Sequence, residues 1–457
     1  MTDPSMSRPE HGIWLVSDDA SSDPERRTRP GVDRRFIVAV LAAGLTIAAT
    51  YRQGGFYRPD ALAVTIAALV LVVVSLLIGV DRRGLAVAAS VGALAAWWLC
   101  TAAIHHHPMS FLPLGASIVG FLAVFLAMRG LATENRESAA LGLAVLGAAT
   151  AAAGLVAVAL RWYPLAIPDQ SLWRAAATLT YSNAAGSLMA IALLVAMGLD
   201  LRSRWPRVLV CLMAAGLVAS ESRGAALAGL VALPLIPLGS LKQAVRPVVL
   251  GVIAGLLEVA TSFGSTLQPV VLGVVVVLVV LAGVVPPRSR PLKIDRRVVV
   301  VVAGTSVLAL MLAVVALHSE IALRLDPAST QVRGYEWSAA LAQWRTSPLI
   351  GVGPDALLIL RSMGRASGHF AHFAHNEYLQ VLADAGLVGL SLLGLAGICV
   401  GRSVRRIDVG TSCAAAALVA AAVAACFDFD WHLPALALAA GWAAGLAGSG
   451  SDAVKHK

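Results

Sequence analysis

Apolar residues run through most of this 457-residue chain in long blocks, without the sparse one-face stripes of half-buried elements in a water-soluble fold. The blocks lie near 36–51, 61–80, 84–104, 111–128, 139–160, 178–199, 208–220, 225–239, 247–264, 270–285, 298–317, 379–400, 410–426 and 434–448. About 20 apolar residues in a helix cross a hydrocarbon layer of ~30 Å. The pattern therefore predicts an all-α polytopic integral membrane protein of about 12–14 transmembrane helices, the short blocks near 208–239 being the least complete. One interval breaks the rhythm. Residues 318–378 form a long polar connection in which Trp337, Leu341 and Trp344 recur at helical spacing. They predict a helix lying on the membrane surface. The polar ends set the remaining boundaries: a disordered tail over 1–35, a transmembrane domain over 36–448 and a short tail over 449–457.

Composition narrows the class. Hydrophobic residues make up 58% of the chain and charged residues 13%, about half the charged share of an average soluble domain. So little charge cannot clothe a soluble enzyme, a nucleic-acid-binding protein or a disordered chain. The five cysteines lie in or beside apolar blocks without metal-ligand spacing, and read as small buried hydrophobes.

The net charge of +9 acquires meaning from its placement. With the N-terminus in the cytoplasm and the spans alternating, 25 of the 35 basic residues fall on the inner side, as the positive-inside rule requires. Both termini are then cytoplasmic. Ten basic residues remain outside, all arginine: Arg52, Arg58, Arg161, Arg174, Arg223, Arg324, Arg333, Arg345, Arg361 and Arg365.

Candidate chemistry concentrates where the long connection enters the next span, in His369-Phe-Ala-His372-Phe-Ala-His375-Asn376-Glu377-Tyr378-Leu379-Gln380. Histidines at this spacing are open to three readings: metal binding, acid–base chemistry or a polar collar at a helix start. Asn376 has the residue type and place of a helix cap. His105-His106-His107 reads as a headgroup-level loop, because consecutive residues diverge on a helix. Glu258 and Glu320 sit near outer helix ends without an assigned role.

Four segments together resemble the O-antigen ligase and polymerase superfamily. His375–Leu390 is similar to its His-Asn-x-Tyr/Phe-Leu-Gln signature and the Gly-Leu-x-Gly-Leu helix start that follows. Ser220-Glu-Ser-Arg223-Gly-Ala225 is similar to its Ser-Arg-Gly-Ala motif, and Arg333-Gly-Tyr-Glu-Trp337 through Pro348-Leu-Ile-Gly351-Val-Gly353 to its Arg-x-x-x-Trp and Pro-x-x-Gly-x-Gly segment. Phe427-Asp428-Phe-Asp430-Trp-His432-Leu-Pro434 is similar to a late Asp-x-x-x-His-x-Pro segment. The resemblance spans about residues 180–447, while the HFAHFAH repeat and the charged N-terminal tail depart from it.

The resemblance implies a GT-C-like membrane glycosyltransferase of the plasma (inner) membrane. It would transfer a glycan from a polyprenyl-diphosphate carrier of the undecaprenyl type to an external lipid or glycan acceptor, such as lipopolysaccharide core. A polymerase would instead extend a second carrier-linked repeat. No metal or other cofactor is implied, and no nucleic acid. The chemistry of the residues agrees. A departing diphosphate gathers negative charge, and arginine offers a fork suited to phosphate oxygens, so Arg223 and Arg333 are the candidate diphosphate grips. His375 is the candidate general base for an inverting displacement, with Glu377, Asp428 or Asp430 open as the group that orients it. His372, Asn376, Tyr378, Asn183, Trp337, Asp430 and His432 are the candidate substrate contacts. Outside this class stand a transporter or flippase for an anionic lipid-linked substrate, and an inactive scaffold in which His375 is dispensable.

Overall fold

Polar caps cut the apolar blocks into helices. Asp81, Ser222, Asn376 and Asp408 each accept a backbone N–H from the first turn of the helix they precede, and Pro434 opens the last helix at a position where its missing N–H costs nothing. The computed structural model describes residues 33–106, 108–112, 114–169, 172–262, 268–285, 327–356, 359–361, 369–405 and 408–448. Among them are fourteen α-helices: α1 (Arg34–Tyr51), α2 (Arg58–Ile78), α3 (Arg82–Ile104), α4 (Leu114–Arg129), α5 (Arg136–Leu160), α6 (Ser182–Ala196), α7 (Arg204–Ala219), α8 (Arg223–Ala232), α9 (Leu238–Thr261), α10 (Gln268–Val284), α11 (Pro327–Thr346), α12 (Glu377–Ser403), α13 (Val409–Ala424) and α14 (Pro434–Gly448). Two short antiparallel hairpins complete the described chain: β1 (Ala166–Asp169) with β2 (Leu172–Ala175), and β3 (Ile359–Arg361) with β4 (His369–Ala371).

The protein is an all-α polytopic membrane protein. Thirteen of the fourteen predicted spans coincide with a helix; the one at 298–317 lies outside the described residues. Six helices are long and apolar enough to cross a membrane on their own: α1, α2, α3, α5, α9 and α12. The span expected at 225–239 needs correction. With 10 residues, α8 rises only about 15 Å, half of a hydrocarbon layer. The 24 residues of α9 reach about 36 Å and make up the difference. The β1–β2 hairpin fixes the direction: Arg174 Nε donates to Ser220 O just before α8, and the Trp173 N–H to Ser262 Oγ just after α9. The chain thus leaves and returns to the same end of the bundle.

The core forms around α14, every residue of which is buried. Gly441 and Gly445 let it lie directly on α4: a Cβ at Gly441 would stand 2.5 Å from Phe121 O, and one at Gly445 2.8 Å from Phe125 O. Small residues one turn apart bring membrane helices together this way, where lipid offers no hydrophobic drive. At the far end of α14, Arg129 at the end of α4 donates to Gly448 O (2.7 Å) and to Asp81 (2.6 and 2.7 Å). The Arg129 hydrogen bond, opposed by partial burial, holds the Asp81 carboxyl below its usual range. The beginning of α14 faces the opposite end, where the connections preceding α2, α6, α8 and α12 also gather.

Helix α12 is broken. Gly386 has φ 66° and ψ −167°, a conformation open essentially to glycine alone, and its neighbours lose their helical partners. The segment Pro348–Gly353 replaces them. The Leu387 and Val388 N–H groups donate to Pro348 O and Leu349 O, and the Val352 and Gly353 N–H groups donate to Ala383 O and Asp384 O, all within 2.9–3.2 Å. Trp97 of α3 donates to Ala385 O at 2.9 Å. Backbone freed in a membrane helix must be satisfied by protein, and here a loop supplies most of it.

Candidate functional site

The short segment Phe427–His432, between α13 and α14, collects most of the residues that carry candidate chemistry. Its anchor is Glu377, fully buried in the first turn of α12. Oε1 of Glu377 accepts the backbone N–H groups of Trp431 and His432 at 2.5 and 3.1 Å, and the carboxylate stands 3.1–3.2 Å from His432 Nδ1. Asp428 accepts the Tyr181 hydroxyl at 2.8 Å and the Asn183 amide, both from the start of α6. Asp430 accepts the Ser187 hydroxyl at 2.6 Å, one turn further along the same helix. Asn183 in turn accepts from Arg174 at 2.8 Å, which ties the β1–β2 hairpin into the network.

Burial sets the protonation of this segment. Asp430 is pushed well above the usual carboxylate range by burial first and by the Asp428 charge second; the Ser187 hydrogen bond and the Arg333 charge only partly oppose this. At His432 burial works against the imidazolium, but the Glu377 carboxylate outweighs it and the ring titrates above an ordinary histidine.

Arg333, Arg223 and His375 meet this segment from three other elements. Arg333, near the start of α11, donates to Phe427 O. Arg223 is the first residue of α8 and is exposed; the next residue, Gly224, lies so close to Phe427 that a Cβ there would stand 3.0 Å from the Phe427 Cβ. His375 packs edge-on against Phe429, with ring centres 5.2 Å apart, and Phe429 stacks on Phe373 at 4.4 Å and on Tyr181 at 5.0 Å. His375 also has φ 48°, an uncommon left-handed backbone for a residue other than glycine, and the chain turns there into α12.

The predicted contacts sort by what their polar atoms already do. Asn376 caps α12 by accepting the Leu379 N–H at 3.0 Å, which leaves its amide N–H groups as donors. The Tyr378 hydroxyl donates to Ala422 O at 2.8 Å. Asn183, Asp430 and His432 belong to the Phe427–His432 network. His372 is exposed, and Trp337 is half-buried. Arg324, Arg365, Glu320 and His107 lie outside the described residues. Glu258 is fully buried within α9. Among the described residues no three His, Cys, Asp or Glu side chains converge as metal ligands.

One expectation needs correction. None of Glu377, Asp428 and Asp430, the candidates for orienting His375, is engaged with it: they serve His432, Tyr181 with Asn183, and Ser187. The carboxylate beside His375 is Glu336, which is 0% exposed and places Oε2 2.9 Å from Nδ1. The helix α11 is present where Trp337, Leu341 and Trp344 predict it; those three are half-buried, and the residues it buries fully, Glu336 and Ala340, lie one position, about 100°, from that stripe. Glu336 sits one turn after Arg333, so one helix face delivers a cation and an anion together. That spacing was the signal available in the sequence.

Residues 263–394 match the family model described as O-antigen ligase. The match includes Arg333, Glu336, Trp337, His372, His375, Asn376 and Tyr378, and Pro348–Gly353 with the broken part of α12. Arg223 and Phe427–His432 lie outside it. The chain is O-antigen ligase-like over this stretch. No curated protein matches the chain.

Proposed function

Taking that O-antigen ligase-like stretch as the premise, we propose that the protein is a membrane glycosyltransferase. It transfers a glycan from a polyprenyl-diphosphate carrier, of the undecaprenyl type, to a hydroxyl of a lipid or glycan acceptor at the outer face of the plasma membrane. The observation that carries this reading is the convergence on Phe427–His432. One small segment receives a histidine from the turn before α12, an arginine from α11 and the N-terminus of α8 with its own arginine.

In the reaction His375 takes the proton of the acceptor hydroxyl. The acceptor oxygen attacks the anomeric carbon, and the bond from that carbon to the phosphate oxygen breaks on the opposite side. The electron pair leaves with the carrier diphosphate, and the configuration inverts. A positioned general base contributes about 10²–10⁴-fold in rate. Charge developing on the diphosphate is met by Arg333 and Arg223, the latter at a helix N-terminus whose dipole also favours an anion. Asp430, favoured in its neutral form, and Asn183 hold the floor of the cluster together through Ser187, Asp428 and Arg174, beneath the place where the sugar would bind. The step needs no metal.

The test is purified protein in liposomes with a lipid-linked oligosaccharide and a lipid-core acceptor, followed by mass analysis. One glycan added per acceptor, undiminished by EDTA, is the expected result. Chains that lengthen on the carrier would make the protein a polymerase of the same chemistry. Donor crossing the bilayer with no new glycosidic bond would replace the enzyme by a transporter.

A further inference from the structure

Glu336 is a fully buried carboxylate on a helix of the long external connection, a place where burial of a charge demands a partner. Its Oε2 stands 2.9 Å from Nδ1 of His375, at ion-pair distance but off the line of a hydrogen bond, and both atoms are buried. The His375 side chain retains 19% exposure, on atoms other than Nδ1. A buried carboxylate at that distance from one ring nitrogen restrains the ring electrostatically.

We propose that Glu336 is the positioning residue for His375: its charge holds the ring by the Nδ1 edge, leaves Nε2 for the acceptor hydroxyl and stabilises the imidazolium formed when that hydroxyl gives up its proton. This rests on the reading of His375 as general base. The other charged groups around the ring have their own partners or distances. Arg333, from the same face of α11, donates to Phe427 O. From Phe427–His432, Asp428 holds Tyr181 and Asn183, Asp430 holds Ser187, and His432 is held by Glu377. On the segment of His375 itself, His372 is exposed. Among the described residues, Glu336 is the carboxylate at ion-pair distance from His375.

Two readouts on the purified full-length protein separate the claims. The first needs no turnover: diethyl pyrocarbonate acylates an imidazole nitrogen, and mass spectrometry of the peptide bearing His375 gives its modification rate at a fixed pH. Glu336→Gln, nearly isosteric, removes the charge that restrains the ring and is expected to raise that rate severalfold, and Glu336→Asp to leave it near the wild-type value. The second is glycan transfer. In Glu336→Gln kcat should fall at least tenfold while the KM for the lipid-linked donor stays within twofold; Glu336→Asp should recover part of the rate. A modification rate unchanged in Glu336→Gln overturns the pairing. A changed modification rate with an unchanged transfer rate overturns the positioning role. If His375→Ala also transfers at the wild-type rate, the base assignment has failed, a result distinct from either.

Discussion

At the level of single residues, the site is built from groups that are already engaged on one side. Arg333 spends one donor on Phe427 O and retains others of the five that a guanidinium carries. Arg223 stands exposed at the first position of α8, and in the proposed reaction it meets the diphosphate together with the helix end. Lysine keeps the charge of arginine and loses the fork. In Arg223→Lys the transfer rate is therefore expected to fall about tenfold or more, since each tenfold is only ~1.4 kcal/mol of differential stabilisation. Steady-state kinetics with varied lipid-linked donor check this; unchanged kcat/KM would reduce Arg223 to a headgroup contact. His375 and Arg333 were legible because they stand in short sequence patterns. Glu336 was marked only by its spacing from Arg333: the apolar pattern of Trp337, Leu341 and Trp344 predicted α11 but not the face it packs, and only the packed structure buries a carboxylate there.

Among the elements, the broken α12 is the least expected. Its sequence between 379 and 400 is apolar apart from Gln380, Asp384 and Ser391, so hydropathy predicts an unbroken span. The break depends on a distant partner, the Pro348–Gly353 loop, whose carbonyls and N–H groups replace those missing from the helix. Proline and paired glycines marked that loop in the sequence, but not what it pairs with. The break places the end of α11 against α12, and with it Arg333 and Glu336 near His375. Gly386→Ala would meet Leu349 O and force a Gly-only backbone onto alanine. A cost of about 1–3 kcal/mol from conformation alone is expected, with the clash added. Gly394→Ala and Gly397→Ala lie in the same helix with nothing within 4 Å of the new methyl. Melting of the detergent-solubilised protein, followed by tryptophan fluorescence, should fall for Gly386→Ala and not for the two controls. Equal melting of all three would mean that the loop does not depend on the break.

For the molecule as a whole, charge scarcity made the topology readable. The basic connections predicted on one side include Arg82 and Arg129, which lie near the far end of α14 with Asp81 and Gly448. The arginines predicted on the other include Arg174 and Arg223, which lie at the end where α6, α8, α12 and α14 begin. Alternation separated the two sets, and helix packing gave what alternation could not: which connections at one end meet. Asn183, Arg223, Arg333, His375 and Asp430 come from five separate parts of the sequence, and only the close approach of the small-residue helices brings them to one segment. In the proposed reaction His375 is the chemical centre of that convergence. The most direct measurement compares glycan transfer by wild-type protein and His375→Ala, reconstituted side by side with the lipid-linked donor and acceptor, at equal protein content and equal melting temperature. The expected result is a loss of at least ~10²-fold, the contribution of a general base; transfer by His375→Ala at the wild-type rate would contradict it.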